Sequence, residues 1–139
     1  MTAVNTRVIS EKLMRLDHLI RELEDIKRTP REEFLNDNRL QAATERYFIL
    51  AIEIITDIGN HLLVEHKGIA GVSYEDIIRQ LGIQNIIPLE VSRRNEGMAK
   101  FRNLLVHVYE VTDANLVYEY LQKAPDEFRA FAQAFAKHI

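Results

Sequence analysis

Apolar residues along this chain recur at helical spacings. From about residue 5 to 28, Ile9, Leu13, Leu16, Ile20 and Leu23 alternate steps of four and three, which lays a single apolar stripe along a helix. At Thr29-Pro30-Arg31-Glu32 that helix ends and a short one is expected, with threonine as cap, proline in the first helical position and glutamate completing a capping box. Asn38 with Gln41 forms a second such box and opens the longest element, which runs through RYFILAIEIITDIGNHLLVEH to about residue 66. This stretch is apolar nearly all round, the pattern of a central helix enclosed by others.

KGIAGV, residues 67–72, reads as a loop and lacks the lysine-serine ending of a phosphate-binding loop. Ser73 is expected to cap a short helix, with Asp76 at its third position and Gly82 at its end. Pro88 starts another helix that carries through Met98 to about Glu110. Thr112 caps a fifth, through Tyr120 and Leu121, and Pro125 opens a last amphipathic helix bearing Phe128, Phe131 and Phe135. No period-two pattern persists, and no internal repeat or low-complexity tract interrupts the chain. The predicted architecture is all-α, a bundle of four or five principal helices joined by short loops.

A length of 139 residues suits a single domain spanning 1–139, and five glycines and three prolines leave little material for turns. No apolar run approaches the roughly 20 residues needed to cross a bilayer. The opening MTAVNTRVISEK also lacks the apolar core of a secretion signal, so the expected location is cytoplasmic, with no membrane partner. The absence of cysteine excludes a disulfide framework and a thiolate zinc site. A net charge of -3 argues against coating of nucleic acid by bulk attraction, so a polyanionic ligand would need a local basic patch.

RNLLVHVY, residues 102–109, is where such chemistry concentrates. On a helical wheel of about 100° per residue, Phe101, Leu104, Leu105 and Val108 share a core-facing arc, which turns Arg102, Asn103, Val106, His107 and Tyr109 outward. Asn103 and His107 form one row and Arg102 and Tyr109 another. Arg102 and His107 diverge by about 140° on an isolated helix, so a second helix is needed to bring both onto one group. The economical source is the same helix of a two-fold partner, which would also cover Val106. Arg93 and Lys100 lie along the line of His107 and supply a candidate basic patch for RNA, although a solvated charged face has the same pattern.

The central helix adds Glu53, Asp57 and Asn60, spaced four and three apart. The acids can pair with Arg46 on the same stripe or hold an arginine of the motif helix in place; a plain row of structural ion pairs is the alternative. Asp57 and His61 have a metal-binding spacing but no third ligand, so no metal is assigned. Histidine exchanges protons near neutrality and arginine keeps a planar charge matched to phosphate oxygens, a combination suited to phosphodiester cleavage without metal or cofactor.

Arg102-Asn103-Leu104-Leu105-Val106-His107-Val108-Tyr109 on a late helix of a small bundle resembles the signature of HEPN-domain proteins, and specifically of HepT-like ribonuclease toxins. AIEIITDIGNHLL and GMAKFRN resemble the corresponding family segments, with Lys100 a modest departure where a small residue is often seen. The resemblance implies an up-and-down HEPN bundle forming a two-fold homodimer, and a metal-independent RNA endonuclease of a type VII-like toxin–antitoxin system. It implies catalytic roles for Arg102 and His107 and a supporting role for Asn103, and it leaves Glu53 and Asp57 as candidate supporting acids. It further implies a minimal nucleotidyltransferase antitoxin that silences the toxin by AMPylation of the motif tyrosine, here Tyr109. The sequence leaves open a non-catalytic HEPN module that binds a nucleotidyltransferase partner or nucleotide, and a purely structural helical adaptor.

Overall fold

The computed structural model describes residues 3–107 and 113–139, and among these the regular structure is seven helices. They are α1 (Ala3–Lys27), α2 (Arg31–Leu35), α3 (Asn38–Lys67), α4 (Tyr74–Ile83), α5 (Leu89–Arg94), α6 (Met98–Val106) and α7 (Ala114–Ala136). The three long helices α1, α3 and α7 pack against one another, while α4 and α6 lean on α3 and on each other, and α5 bridges α4 to α7. The predicted stripe of α1 is the buried one, with Leu16 and Leu23 at 0% exposure. It meets Phe48, Ile52, Ile55 and Leu62 of α3 and Phe128, Phe131 and Phe135 of α7 in one core.

α3 does have the length and mean hydropathy of a membrane-crossing helix, contrary to the expectation that no segment would; half of its most apolar window is buried inside the bundle, as befits a central element. Its C-terminus closes on Gly68 at φ 66°, whose N–H bonds back to Val64 O and which sits where a left-handed residue is required.

Several boundaries differ from the expectation by a residue or a turn. Pro30, not Thr29, occupies the cap position of α2, without a side-chain bond. Asp37, not Asn38, caps α3: its backbone is extended and its Oδ1 accepts from Leu40 N at 3.0 Å. Gln41 bonds instead to Phe34 O at 2.9 Å and ties α3 to α2. Ser73 caps α4 as expected, accepting from Asp76 N.

Gly82, expected to end α4, is its second-last residue, one before Ile83, and Ser92 of α5 crosses there so closely that a Cβ on Gly82 would stand 2.5 Å from the Ser92 Cβ. The left-handed residue after the helix is Asn85, at φ 57°.

The two larger corrections concern the motif helix and the last helix. The element expected from Pro88 to Glu110 is two helices, broken at Asn95-Glu96-Gly97. Asn95 is 4% exposed, and its amide donates to Val91 O at 2.8 Å and to Glu127 Oε2 at 3.2 Å, a side chain competing with the helical ladder and anchoring the break to α7. Conversely, the two helices expected around Pro125 are one. α7 runs through Pro125 because Leu121, Ala124 and Phe128 are buried on either side, and it is capped by Asp113, whose Oδ1 accepts from Asn115 N at 2.9 Å. Thr112, expected as that cap, lies outside the described residues.

Candidate functional site

Where α6 crosses α3 and α4, its inward face is set by Met98, Ala99 and Leu105. Arg102 stands four residues after Met98 and three before Leu105, so it lies on that inward stripe rather than on the outer face the apolar pattern predicts. Leu104, expected in the core, is 37% exposed, and Phe101 is half-buried against it. The phase shifts because the helix starts afresh at Met98 and because α3 offers a carboxylate at the inward position. Apolar counting cannot register a polar partner on another helix.

Arg102 is held on several sides. Its Nη2 donates to Glu53 Oε1 at 2.9 Å, its Nη1 donates to Asn103 Oδ1 at 3.3 Å, and its Cζ lies 4.7 Å from the ring centre of Tyr74. Its Nε is buried without a hydrogen-bond partner. The side chains of Arg102 and Glu53 are 19% and 39% exposed, so the pair is partly shielded and its charges interact more strongly than a surface pair would. Glu53 thus takes the motif arginine and not Arg46.

The other residues of that row serve different ends. Asp57 reaches Lys12 of α1 at 3.5 Å and is largely exposed. Asn60 Oδ1 accepts from Gly71 N at 2.9 Å and pins the loop that leads into α4. His61 Nε2 faces Glu65 Oε1 at 3.7 Å, while Asp57 pairs with Lys12. Among the described residues no three histidine or carboxylate side chains gather to hold a metal.

α6 ends at Val106, and His107 has an extended backbone, φ -78° and ψ 97°, with an exposed side chain. The helical-wheel angle between Arg102 and His107 therefore does not apply. Lys100, Asn103 and His107 line one open groove of ≈ 460 Å³ with Gly97, Phe101 and Leu104. Arg102 is not part of its lining and reaches its edge through Asn103. Arg93 is exposed on α5, before the break, so the straight cationic line from Arg93 to His107 is interrupted, and of Arg93 and Lys100 it is Lys100 that borders the groove. Tyr109 and Val108 lie outside the described residues.

One residue of the groove's lining, Phe101, is packed against α7. Phe101 stacks on Tyr120 of α7 at 4.0 Å and 23°, and burial pushes the Tyr120 hydroxyl above the ordinary phenol range. Beside it, hydrogen bonds from Arg94 hold Glu127 below the usual carboxylate range, with Asn95 adding to the effect, which fastens the α5–α6 break to α7. Sequence reasoning missed Tyr74: no spacing links it to Arg102, and its only local signal is its place directly after the Ser73 cap.

A family model described as ribonuclease HepT-like matches residues 16–135. Over 140 aligned positions the chain is 24% identical to a tRNA nuclease HepT of Aphanizomenon flos-aquae (strain 2012/KM1/D3), covering 100% of this chain and 95% of that protein. A tri-AMPylated Shewanella oneidensis HEPN toxin, solved in complex with an MNT antitoxin, superposes with a TM-score of 0.84 at 21% identity over 99% of each chain. A toxin–antitoxin crystal structure with AMP-PNP gives 0.84 at 21% identity, over 94% of this chain and 98% of that one. These two structural likenesses establish the shared fold, and the model match over residues 16–135 establishes more: the chain belongs to the ribonuclease HepT-like family.

Proposed function

We propose that this protein is a metal-independent RNA endonuclease, the toxin of a type VII-like toxin–antitoxin pair, acting in the cytoplasm as a two-fold homodimer. The observation that carries the reading is the groove that joins His107, Asn103 and Lys100 beside an arginine fixed by Glu53. In the reaction, the 2′-oxygen of a ribose attacks the adjacent phosphorus as its proton passes to a base; the P–O5′ bond breaks and the leaving oxygen takes a proton. The product is a 2′,3′-cyclic phosphate and a free 5′-hydroxyl. Neutral His107 is suited to the first proton transfer and protonated His107 to the second. Arg102 and Asn103 stabilise charge growing on the phosphoryl oxygens, and Lys100 draws the backbone in.

One histidine cannot be base and acid in the same instant, which supports a second copy of the chain supplying the other. An isologous contact would also cover Leu104 and Val106 beside the groove. Silencing is assigned to AMPylation of Tyr109 by a minimal nucleotidyltransferase antitoxin, in keeping with the AMPylated state and MNT partner of the Shewanella oneidensis toxin. Tyr109 is two residues beyond His107, so adenylate phosphates there would compete with RNA for the same cations.

Purified, unmodified protein is expected to cut RNA in the presence of chelator, and His107→Ala or Arg102→Ala to stop it; unchanged cutting in either variant refutes the site. Co-expression with the nucleotidyltransferase should add adenylate mass to the Tyr109 peptide and none to a Tyr109→Phe variant. The intrachain neutralisation of Arg102 by Glu53 favours one alternative, a non-catalytic module that binds the nucleotidyltransferase or a nucleotide. That alternative requires partner binding with no cleavage of any RNA.

A further inference from the structure

Glu53 holds only one end of the Arg102 fork, so by itself it leaves the guanidinium free to rotate about the Nη2–Oε1 contact. Tyr74 restricts that freedom, because its ring lies over the guanidinium with the Cζ 4.7 Å from the ring centre and closes one side of it. The platform is itself anchored. Asn60 Oδ1 accepts from Gly71 N, Asp76 Oδ2 accepts from Val72 N at 3.1 Å, and Ser73 Oγ accepts from Asp76 N at 3.1 Å. Ile77 packs so tightly on Gly71 that a Cβ there would stand 2.3 Å from it.

The consequence passes to Asn103. An arginine has only donors, so the Asn103 atom facing Arg102 Nη1 must be its carboxamide oxygen. The Nδ2 group is then the one left for the groove that Asn103 lines with Lys100 and His107. In that orientation the amide offers N–H donors to an anion; flipped, it would offer an oxygen and repel one.

We propose that Tyr74 is a positioning residue of the nuclease site: its ring locks the Arg102 guanidinium, which in turn holds the Asn103 carboxamide with its donors toward the groove, ready for a phosphodiester oxygen. This rests on the ribonuclease reading above, and the test separates the two. Tyr74→Phe keeps the ring face and should cut RNA within about twofold of the natural protein. Tyr74→Leu should lower kcat about tenfold and change KM less, because the aligned donors serve charge that grows only in the transition state. In side-chain amide NMR spectra the Arg102 Nε–H resonance should carry a ring-current shift that survives in Tyr74→Phe and vanishes in Tyr74→Leu. An uncleavable 2′-O-methyl oligonucleotide should shift the Asn103 amide protons in the natural protein and in Tyr74→Phe, but much less in Tyr74→Leu.

A Tyr74→Leu variant that cuts like the natural protein, or whose Asn103 response is unchanged, overturns the proposal. Should Tyr74→Leu fail to fold by thermal melt, Tyr74→Met takes its place under the same criteria. If the natural protein cuts no RNA, the ribonuclease reading falls while the Arg102 and Asn103 resonances still decide the role of Tyr74. An Asn103 amide in the natural protein that ignores the oligonucleotide overturns it.

Discussion

Neutralising Glu53 should release Arg102, and the size of the effect follows from the exposure of the pair. A charge-assisted hydrogen bond shielded from water is worth about 1.5–3 kcal/mol, whereas a fully exposed ion pair is worth about 0.2–1 kcal/mol. With Arg102 at 19% and Glu53 at 39% exposure, the solvated carboxylate screens the pair toward the lower range, and the expected coupling is about 1 kcal/mol. The measurement is a double-mutant cycle of Glu53→Gln, Arg102→Gln and the double variant, read by urea unfolding. The Asp57–Lys12 pair, 66% and 40% exposed, is an internal control expected to couple by less than about 0.5 kcal/mol. A Glu53–Arg102 coupling no larger than that of the control would refute the view that α3 holds the motif arginine. Glu53→Gln should also slow RNA cutting well below the melting temperature, where loss of folded protein cannot explain it.

Other outcomes follow from the same contacts. Gly82→Ala gains about 1 kcal/mol of helix propensity but drives a methyl into Ser92, at a cost of about 1–3 kcal/mol; a net loss is expected by thermal melt, whereas Gly97→Ala, with nothing within 4 Å, should not lose stability. Glu127 has its folded pKa lowered, so its contribution to stability is complete above the ordinary carboxylate pKa of about 4.3 and is lost as pH falls through the depressed folded value; Glu127→Gln should flatten the acid limb of the unfolding curve. Tyr120 has its folded pKa raised, so its contribution is whole below about pH 10 and is lost as pH rises toward the folded value; Tyr120→Phe should remove that alkaline limb.

The helices were legible where burial alone dictates them. The stripe of α1, the apolar girth of α3 and the phenylalanines of α7 each read correctly because a core accepts any side chain that is apolar and near the right size. The errors fall where a contact with a distant element outweighs local pattern. Asn95 breaks a helix that Pro88 to Glu110 would otherwise continue, since its partner is Glu127, 32 residues away. Pro125 looks like a helix start, yet burial on both sides carries α7 through it. Gly82 looks like a helix end, yet the helix continues one residue past it, and the passage of Ser92 leaves no room for a Cβ there. Within the site, the motif itself was plain in sequence, and the pairing of Glu53 with a motif arginine was among the readings it left open. The inward turn of Arg102 and its stacking on Tyr74 were not visible, because both depend on how α4 and α6 cross α3.

In the proposed reaction that crossing separates two tasks which a straight amphipathic helix would have to perform on one face. Arg102 needs a fixed direction, and it stands on a helical stripe with a carboxylate, an aromatic face and an amide around it. His107, to which the proposed reaction gives the proton transfers, stands exposed just past the helix end on extended backbone. Asn103 joins them, bonded to one and sharing a groove with the other. If catalysis uses this division, changes at Glu53 or Tyr74 should lower kcat while leaving the shape of its pH profile intact, because they misalign a side chain that carries no proton to or from the substrate. Changes at His107 should abolish the profile itself. A Glu53 or Tyr74 variant that moved the pH optimum would show that proton transfer runs through the Arg102 side of the site, and the separation argued from the end of α6 would be wrong.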